Sequence, residues 1–179
     1  SFISYLRGMA NEFKKYGNRD FSYDVPYTTL TTNLIKGGNA YNTIPNLCEF
    51  VFEFRNLSTD SSEDLNQKIM SYVKDQLVPN LHHDHPDSNV NLDTIAKAPG
   101  LDMPITDPFV RAAQTVCQSD KLMKVAYATE AGLFQKAEIP TIVCGPGSIE
   151  QAHRANEYVE VEQLRLCEEF IINMLRSHF

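Results

Sequence analysis

The alternation of apolar and polar positions along the chain predicts one helix and two strands in its first third. Over 2–16, apolar side chains recur at steps of three and four residues, as on one face of an amphipathic helix. Over 48–55 the pattern becomes a strict alternation, which is typical of a half-buried strand. The apolar face of this strand comprises Cys48, Phe50, Phe52 and Phe54. The β-branched and aromatic run 25–36 ends at a double glycine and predicts a strand before it.

The next segment predicts a second helix and a third strand. Ser61 and Asp64 resemble a capping box, and we expect Pro79 to end the helix that they begin. A polar loop follows, and the alternating run 89–98 predicts a strand. The order is helix, strand, strand, helix, strand, which is a ferredoxin-like split βαβ unit without its first strand. We therefore expect residues 1–99 to form such a domain, cut from something longer.

The second half predicts the edge of an α/β sheet. The Pro- and Gly-rich run 98–108 marks a domain boundary, and Asp107 with Pro108 favours a helix start. A short strand over 121–127, a helical turn from Glu130, a strand over 140–144 and a final amphipathic helix follow. Two strands in about 80 residues make a poor independent domain, so we expect residues 100–179 to be part of a larger one. The predicted fold class is α/β with an α+β first domain.

Composition and charge exclude several classes of protein. A net charge of −7 and a pI near 5.2 argue against nucleic acid or an anionic membrane as the main partner. No apolar run is long enough to span a bilayer, and the first residues do not resemble a secretory signal. The four cysteines are scattered without a CxxC pair, which predicts free, buried thiols in a reducing, cytoplasmic compartment. A disulfide framework is the weaker alternative.

His153, just after a Gly-Pro-Gly turn, is the candidate metal ligand or general base. A structural zinc needs about four protein ligands and a catalytic one about three, so one histidine does not make a site. It is therefore either a hydrogen-bonded histidine without a metal or a ligand completed by residues outside this chain. The histidines of "HHDH" (82–85) are adjacent on a predicted loop, where side chains rarely converge on one ion, and a solvated loop is the favoured interpretation.

Three further positions have both a functional and a structural interpretation. Gly145 leaves the end of a predicted strand, where α/β sheets bind ligands, but it also suits an ordinary turn. Arg55 lies thirteen positions after Asn42, on the polar face of its strand. Its guanidinium could clamp a carboxylate, or it could pair with Glu49 or Glu53 across the strands. No Ser-His-Asp or Cys-His arrangement stands out.

Two stretches carry a resemblance that accounts for both incomplete halves. They are "VPYTTLTTNLIKGGNAYNTIPNLCEFVFEFR" and "YATEAGLFQKAEIPTIVCGPGSIEQAHRANEYVEVEQL". In this order they resemble the dinuclear zinc peptidase and deacylase family, in its acetylornithine branch, over essentially all of residues 1–179. The family inserts a ferredoxin-like lid, which also forms the homodimer contact, into a zinc-binding α/β catalytic domain. The resemblance implies that this chain holds the lid from its first helix onward, followed by the C-terminal part of the catalytic domain.

The resemblance also implies roles for particular residues. His153 would be one ligand of a two-zinc site, with cobalt or manganese as alternative metals. Asn42 and Arg55 would grip the substrate, Gly145 would line its pocket, and Glu130 would meet its amine. The other ligands, the catalytic glutamate and a lid histidine of the family have no match here. The chain alone is therefore expected to contain no catalytic residue, to bind no metal tightly and to be inactive.

The implied reaction is the hydrolysis of N-acetyl-L-ornithine to ornithine and acetate, a step of arginine biosynthesis, with this small molecule as the partner. Two alternatives stay open. One is a related N-acyl-amino-acid deacylase or dipeptidase of the same family. The other is a non-catalytic amino-acid-binding or dimerisation module, because a fold alone does not fix a function.

Overall fold

The computed structural model describes residues 1–178, which fall into two compact units. The first unit contains Ser1–Lys97 together with Lys124–Tyr127, and the second contains Ala98–Met123 and the residues from Ala128 onward. The helices are α1 (Phe2–Tyr16), α2 (Ser62–Tyr72), α3 (Val78–Asp84), α4 (Pro108–Cys117), α5 (Ala131–Lys136) and α6 (Val161–His178). The strands are β1 (Thr29–Gly37) and β2 (Cys48–Arg55). These are units of packing, and the predicted domain boundary between residues 99 and 100 stays a prediction.

The sheet of the first unit is an antiparallel hairpin of β1 and β2. Its register pairs Thr29 with Arg55 at one end and Gly37 with Cys48 at the other. The ladder shifts between Thr32 and Leu34, so Asn33 forms a bulge. β2 is confirmed at its predicted bounds. β1 begins at Thr29 rather than at residue 25, because 21–25 form turns and bends before it.

The core of the first unit lies between this hairpin and the helices α1 and α2. The predicted apolar stripe of α1 is confirmed, since Phe2, Leu6 and Met9 are buried together with Ile69 of α2. The buried residues of this core are Phe2, Leu6, Met9, Leu30, Leu65, Ile69 and Val73. The alternating phenylalanines of β2 also pack here, and the ring centroids of Phe2 and Phe50 lie 5.3 Å apart, edge to face.

The expectation that Pro79 ends the second helix is wrong. A π-helical segment, Val73–Leu77, follows α2, and the backbone N–H of Val78 donates to the carbonyl of Val73. α3 then begins with Pro79 in its first turn, where the missing N–H of proline needs no partner. The wider π turn lets the chain stay helical, and it places His82 and His83 in the last turn of α3 rather than in a loop.

The third predicted strand does not form either. Residues 89–98 contain no strand, although Val90 and Leu92 pack against the core as their alternation predicts. In a split βαβ unit the last strand pairs beside the first, and the structure describes no strand before α1. The apolar contacts of Val90 and Leu92 and the ion pair of Lys97 with Glu63 of α2 therefore hold this segment, without a ladder. The observed fold class is mixed α/β, with a small two-stranded antiparallel sheet covered by helices.

The second unit is helical. α4 begins at the predicted cap, where Asp107 accepts a hydrogen bond from the backbone N–H of Phe109 (2.8 Å), and it packs against α6. The strands expected over 121–127 and 140–144 are wrong, since neither segment pairs with another in the described part of the chain. A β-prone run becomes a strand only where a neighbouring backbone accepts its hydrogen bonds.

Two sequence expectations about the whole chain can be compared with the structure. All four cysteines are free, as predicted, but Cys48, Cys117 and Cys144 are exposed and only Cys167 is half-buried. The predicted burial is therefore wrong for three of them. None of the helices described over 1–178 is long and apolar enough to cross a membrane.

Candidate functional site

Arg55, the last residue of β2, is held by two hydrogen bonds within the first unit. Its Nε donates to Oε1 of Glu53 (3.1 Å) and its Nη1 donates to the backbone carbonyl of Ala126 (2.7 Å). The ion pair with Glu53 therefore forms, but along one strand rather than across two, and both side chains stay about half exposed. Nη2 makes no hydrogen bond with the described residues and is available to an anionic ligand.

The segment 124–127 that reaches Arg55 is itself anchored. Lys124 donates to Oδ2 of Asp20 (2.8 Å) and lies over the ring of Tyr23. The bond from Lys124, and next the bond from the backbone N–H of Ser22, lower the pKa of Asp20 to about 2. An ionised Asp20 thus holds Lys124, and the carbonyl of Ala126 follows two residues later.

Asn42 lies in the loop 38–47, which joins the Gly37 end of β1 to Cys48. Tyr41 and Ile44 of this loop are 102% and 92% exposed, so the loop does not pack back on the sheet. Arg55 is at the other end of the ladder, about 23 Å from Cys48 along an extended strand. The structure does not bring Asn42 beside Arg55, and their joint role in substrate binding stays a prediction.

His153 lies in a series of tight turns in the second unit. Its φ of 61° is in the left-handed region, which costs free energy for a residue other than glycine. Its backbone N–H donates to Oε2 of Glu157 (3.0 Å), which fastens this conformation. The imidazole is on an exposed residue, as a ligand completed by other groups would need.

Glu130 and Gly145 are also exposed positions of the second unit. Glu130 is the cap residue of α5, where its carbonyl accepts from the N–H of Leu133 (2.9 Å) while its carboxylate makes no capping bond. A Cβ at Gly145 would meet no atom within 4 Å. The described fold therefore does not require glycine at 145, and its predicted role in lining a pocket stays a prediction.

The residues described here do not by themselves fit a metal ion. Among residues 1–178, no group of three or more His, Cys, Asp or Glu side chains is arranged to hold one. The carboxylate of Glu157 contacts His153, but it accepts a hydrogen bond from the backbone N–H and does not bind the imidazole ring. The histidines at 82–85 do not converge: His82 contacts the carbonyl of Ser88 and His83 contacts Asp84.

Comparison with known proteins assigns the first unit. Residues 2–80 match the family model of the peptidase dimerisation domain. Over 180 aligned residues, 31% are identical to an acetylornithine deacetylase of Photorhabdus laumondii, a match that covers 99% of this chain. The chain contains a dimerisation domain of the M20 peptidase family. The resemblance of the sequence to this family is thereby confirmed, and the hairpin with its two helices is part of an M20 dimerisation domain.

Other relatives agree with this M20 assignment. An acetylornithine deacetylase of Shigella sonnei is 33% identical over 159 residues, and one of Myxococcus xanthus is 29% identical over 160. These matches cover 88% and 89% of this chain but only 39% and 40% of the relatives, and the Photorhabdus match covers 44%. The chain thus spans about two fifths of the length of the M20 relatives that it matches.

Sequence reasoning missed two partners of the candidate residues. Ala126 contacts Arg55 from 71 positions away and through its backbone, so no pattern in the sequence identifies it. Glu157, which contacts the backbone of His153, lies only four residues after it in the sequence. An acidic residue one turn beyond a candidate ligand is a signal that could have found it.

Proposed function

We propose that the protein carrying this chain is a metal-dependent amidohydrolase that removes acetate from N-acetyl-L-ornithine, in the cytoplasm and as a step of arginine biosynthesis. One observation carries the proposal: relatives named acetylornithine deacetylase align with nearly the whole chain at about 30% identity. The proposed metal is zinc, two ions per site, with cobalt or manganese as alternatives. His153 would supply one ligand, and the remaining ligands and the general base would come from residues outside this chain.

The match of residues 2–80 to a dimerisation domain supports a homodimer formed through the first unit. The second unit would then contribute the C-terminal part of the catalytic domain. A non-catalytic dimerisation module has one observation in its favour, since the described residues group no metal ligands. It remains the alternative against which the activity is tested.

Arg55 has the chemistry for the carboxylate end of the substrate. A guanidinium has five N–H donors in a fixed plane, and two of its nitrogens are already occupied by Glu53 and the carbonyl of Ala126. These contacts fix the plane of the group while Nη2 stays available. A carboxylate in this position would gain a charge-assisted bond. Glu130 would offer an exposed carboxylate to the substrate's amine.

The decisive experiment is a substrate panel on the intact protein that carries this sequence. N-acetyl-L-ornithine, N-succinyl-diaminopimelate and a dipeptide are compared by release of the free amine, with zinc present. Preference for N-acetyl-L-ornithine supports the proposal. Preference for another member of the panel assigns a related deacylase or dipeptidase, and a dimer without hydrolysis of any of them favours the non-catalytic module.

Arg55→Ala sharpens the test. The variant loses a charge-assisted hydrogen bond to the substrate of about 1.5–3 kcal/mol, and we therefore expect its KM to rise about tenfold to hundredfold. Arg7→Ala, at an exposed position of α1, is the matched control and should leave KM unchanged. Equal kinetics of the two variants would remove Arg55 from the substrate site.

A further inference from the structure

The turns between α1 and β1 hold the carboxylate of Asp20 in place. The backbone N–H of Asp20 donates to the carbonyl of Pro26 (3.0 Å), and its Oδ1 accepts from the backbone N–H of Ser22 (2.9 Å). Pro26 lies three residues before Thr29, which pairs with Arg55 at the end of the ladder. Asp20 is thus attached to the same end of the hairpin at which Arg55 lies.

The segment 124–127 is attached to this end of the hairpin at two points. Nζ of Lys124 donates to Oδ2 of Asp20 (2.8 Å), and both side chains are largely covered, at 30% and 24% exposed. The carbonyl of Ala126 accepts from Nη1 of Arg55 (2.7 Å). In the described part of the chain this segment belongs to no strand. Side-chain contacts such as these two, and not a ladder, therefore hold it.

The two contacts are joined by a short piece of backbone. Lys124 and Ala126 are two positions apart, so at most about 7 Å separates their Cα atoms. A displacement of Lys124 therefore moves the carbonyl that accepts from Arg55. Without this carbonyl, Arg55 keeps the bond from its Nε to Glu53, and a guanidinium held at one nitrogen can reorient about that bond.

We propose that Lys124, held by Asp20, is a positioning residue that keeps the guanidinium of Arg55 oriented to bind the carboxylate of an N-acyl amino acid. For the identity of this ligand the inference rests on the proposed function, whereas the positioning of Arg55 is measured without a substrate. A charge-assisted bond requires its donor to point at the carboxylate. Loss of Lys124 should therefore weaken substrate binding more than it slows the chemical step.

The rate at which phenylglyoxal labels Arg55 in the intact protein reports its position without a substrate. The reagent reacts at the terminal guanidinium nitrogens, of which Nη1 is engaged by the carbonyl of Ala126. We expect labelling of Arg55 to be about threefold to tenfold faster in Lys124→Met, because a restraining hydrogen bond is lost. Cleavage at glutamates leaves Arg55 and Arg7 on separate peptides, and Arg7, exposed on α1, should keep its rate. An unchanged rate at Arg55 would overturn the inference.

Kinetics of the intact protein with N-acetyl-L-ornithine measure the effect on binding. Lys124→Met should raise KM about threefold to tenfold and leave kcat within about twofold. Lys124→Arg keeps a cation for Asp20 and should restore KM. The double variant with Arg55→Ala should have the KM of Arg55→Ala alone, because Lys124 acts through Arg55. Additive increases in the double variant would contradict this.

Two further variants complete the design. Asp20→Asn removes the charge that holds Lys124 without altering the segment 124–127, so it should change labelling and KM in the same direction even if Lys124→Met does not fold. Lys121→Met removes an exposed cation three residues earlier and should change neither, and an equal effect of this variant would contradict the assignment. If the intact protein hydrolyses no substrate of the panel, the proposed function fails, and faster labelling of Arg55 in Lys124→Met still supports its positioning.

Discussion

Thr28 is the buried polar group that ties the start of β1 to the turn after β2, and its replacement by valine is the most informative change in the first unit. The residue is 1% exposed. Its Oγ1 accepts a hydrogen bond from the backbone N–H of Leu57 (3.0 Å) and donates to the carboxylate of Asp60. Valine has nearly the same shape, so the substitution removes the hydroxyl without opening a cavity.

The expected loss follows from which group is left without a partner. Leu57 is buried, and an unpaired buried N–H costs about 1–3 kcal/mol. Asp60 keeps the bond from Nδ2 of Asn18 (2.6 Å) and is only half-buried, so water replaces the lost hydroxyl there. We therefore expect Thr28→Val to lower the free energy of unfolding by about 1–3 kcal/mol.

Urea unfolding followed by circular dichroism measures this difference. Thr28→Ser keeps the hydroxyl and should recover most of the lost stability, and Thr31→Val, on an exposed position of β1, should change it by less than about 0.5 kcal/mol. The hydroxyl of Thr28 does not have this role if Thr28→Val is as stable as the unaltered chain, or if Thr28→Ser loses as much stability as Thr28→Val.

Two further predictions concern packing and charge. Ile69→Ala should lower the free energy of unfolding by about 2–5 kcal/mol, because Ile69 is fully buried between α1, α2 and the hairpin, and urea unfolding measures it. The pKa of Asp20, about 2 against its ordinary 3.8, should return toward 3.8 in Lys124→Met, as an NMR titration of the carboxyl would show. Since folding lowers this pKa, the ion pair stabilises the fold above pH 4, and its contribution is lost as the pH falls toward 2.

The packing prediction has a control variant in the same unit, and the charge prediction has an outcome that would contradict it. Met70 adjoins Ile69 in α2 but is 44% exposed, so Met70→Ala should cost less than about 1 kcal/mol. Similar losses for both variants would contradict the assignment of the core. An Asp20 pKa that stays near 2 in Lys124→Met would mean that the hydrogen bonds from Ser22 are enough to hold the carboxylate ionised.

The sequence was sufficient for α1, for β2 and for the starts of α2 and α4, because local patterns determine them. The stripe of Phe2, Leu6 and Met9 gave the buried face of α1, and the caps Ser61 and Asp107 set the starts of α2 and α4. Each cap side chain accepts a hydrogen bond from a backbone N–H of the first turn, which is a contact within four residues.

The failures involve groups that lie far apart in the sequence. The runs 89–98, 121–127 and 140–144 have strand-like patterns, but a pattern does not supply the neighbouring backbone that a ladder requires. Pro79 ends a helix only when the helix is α-helical at that point, and the π-helical segment before it changes that premise. The candidate site shows the same limit, since the contact between Arg55 and Ala126 depends on the fold.

The zinc content and the deacetylase rate of the intact protein with His153→Ala test whether His153 is a ligand of a catalytic metal site. His83→Ala is the matched control, because His83 is an exposed histidine of the first unit whose ring contacts Asp84. We expect His153→Ala to lose bound zinc and at least about a hundredfold in kcat, since a metal ligand is removed, while His83→Ala retains both. Unchanged zinc content and rate in His153→Ala would contradict the role of His153 and with it the proposed site.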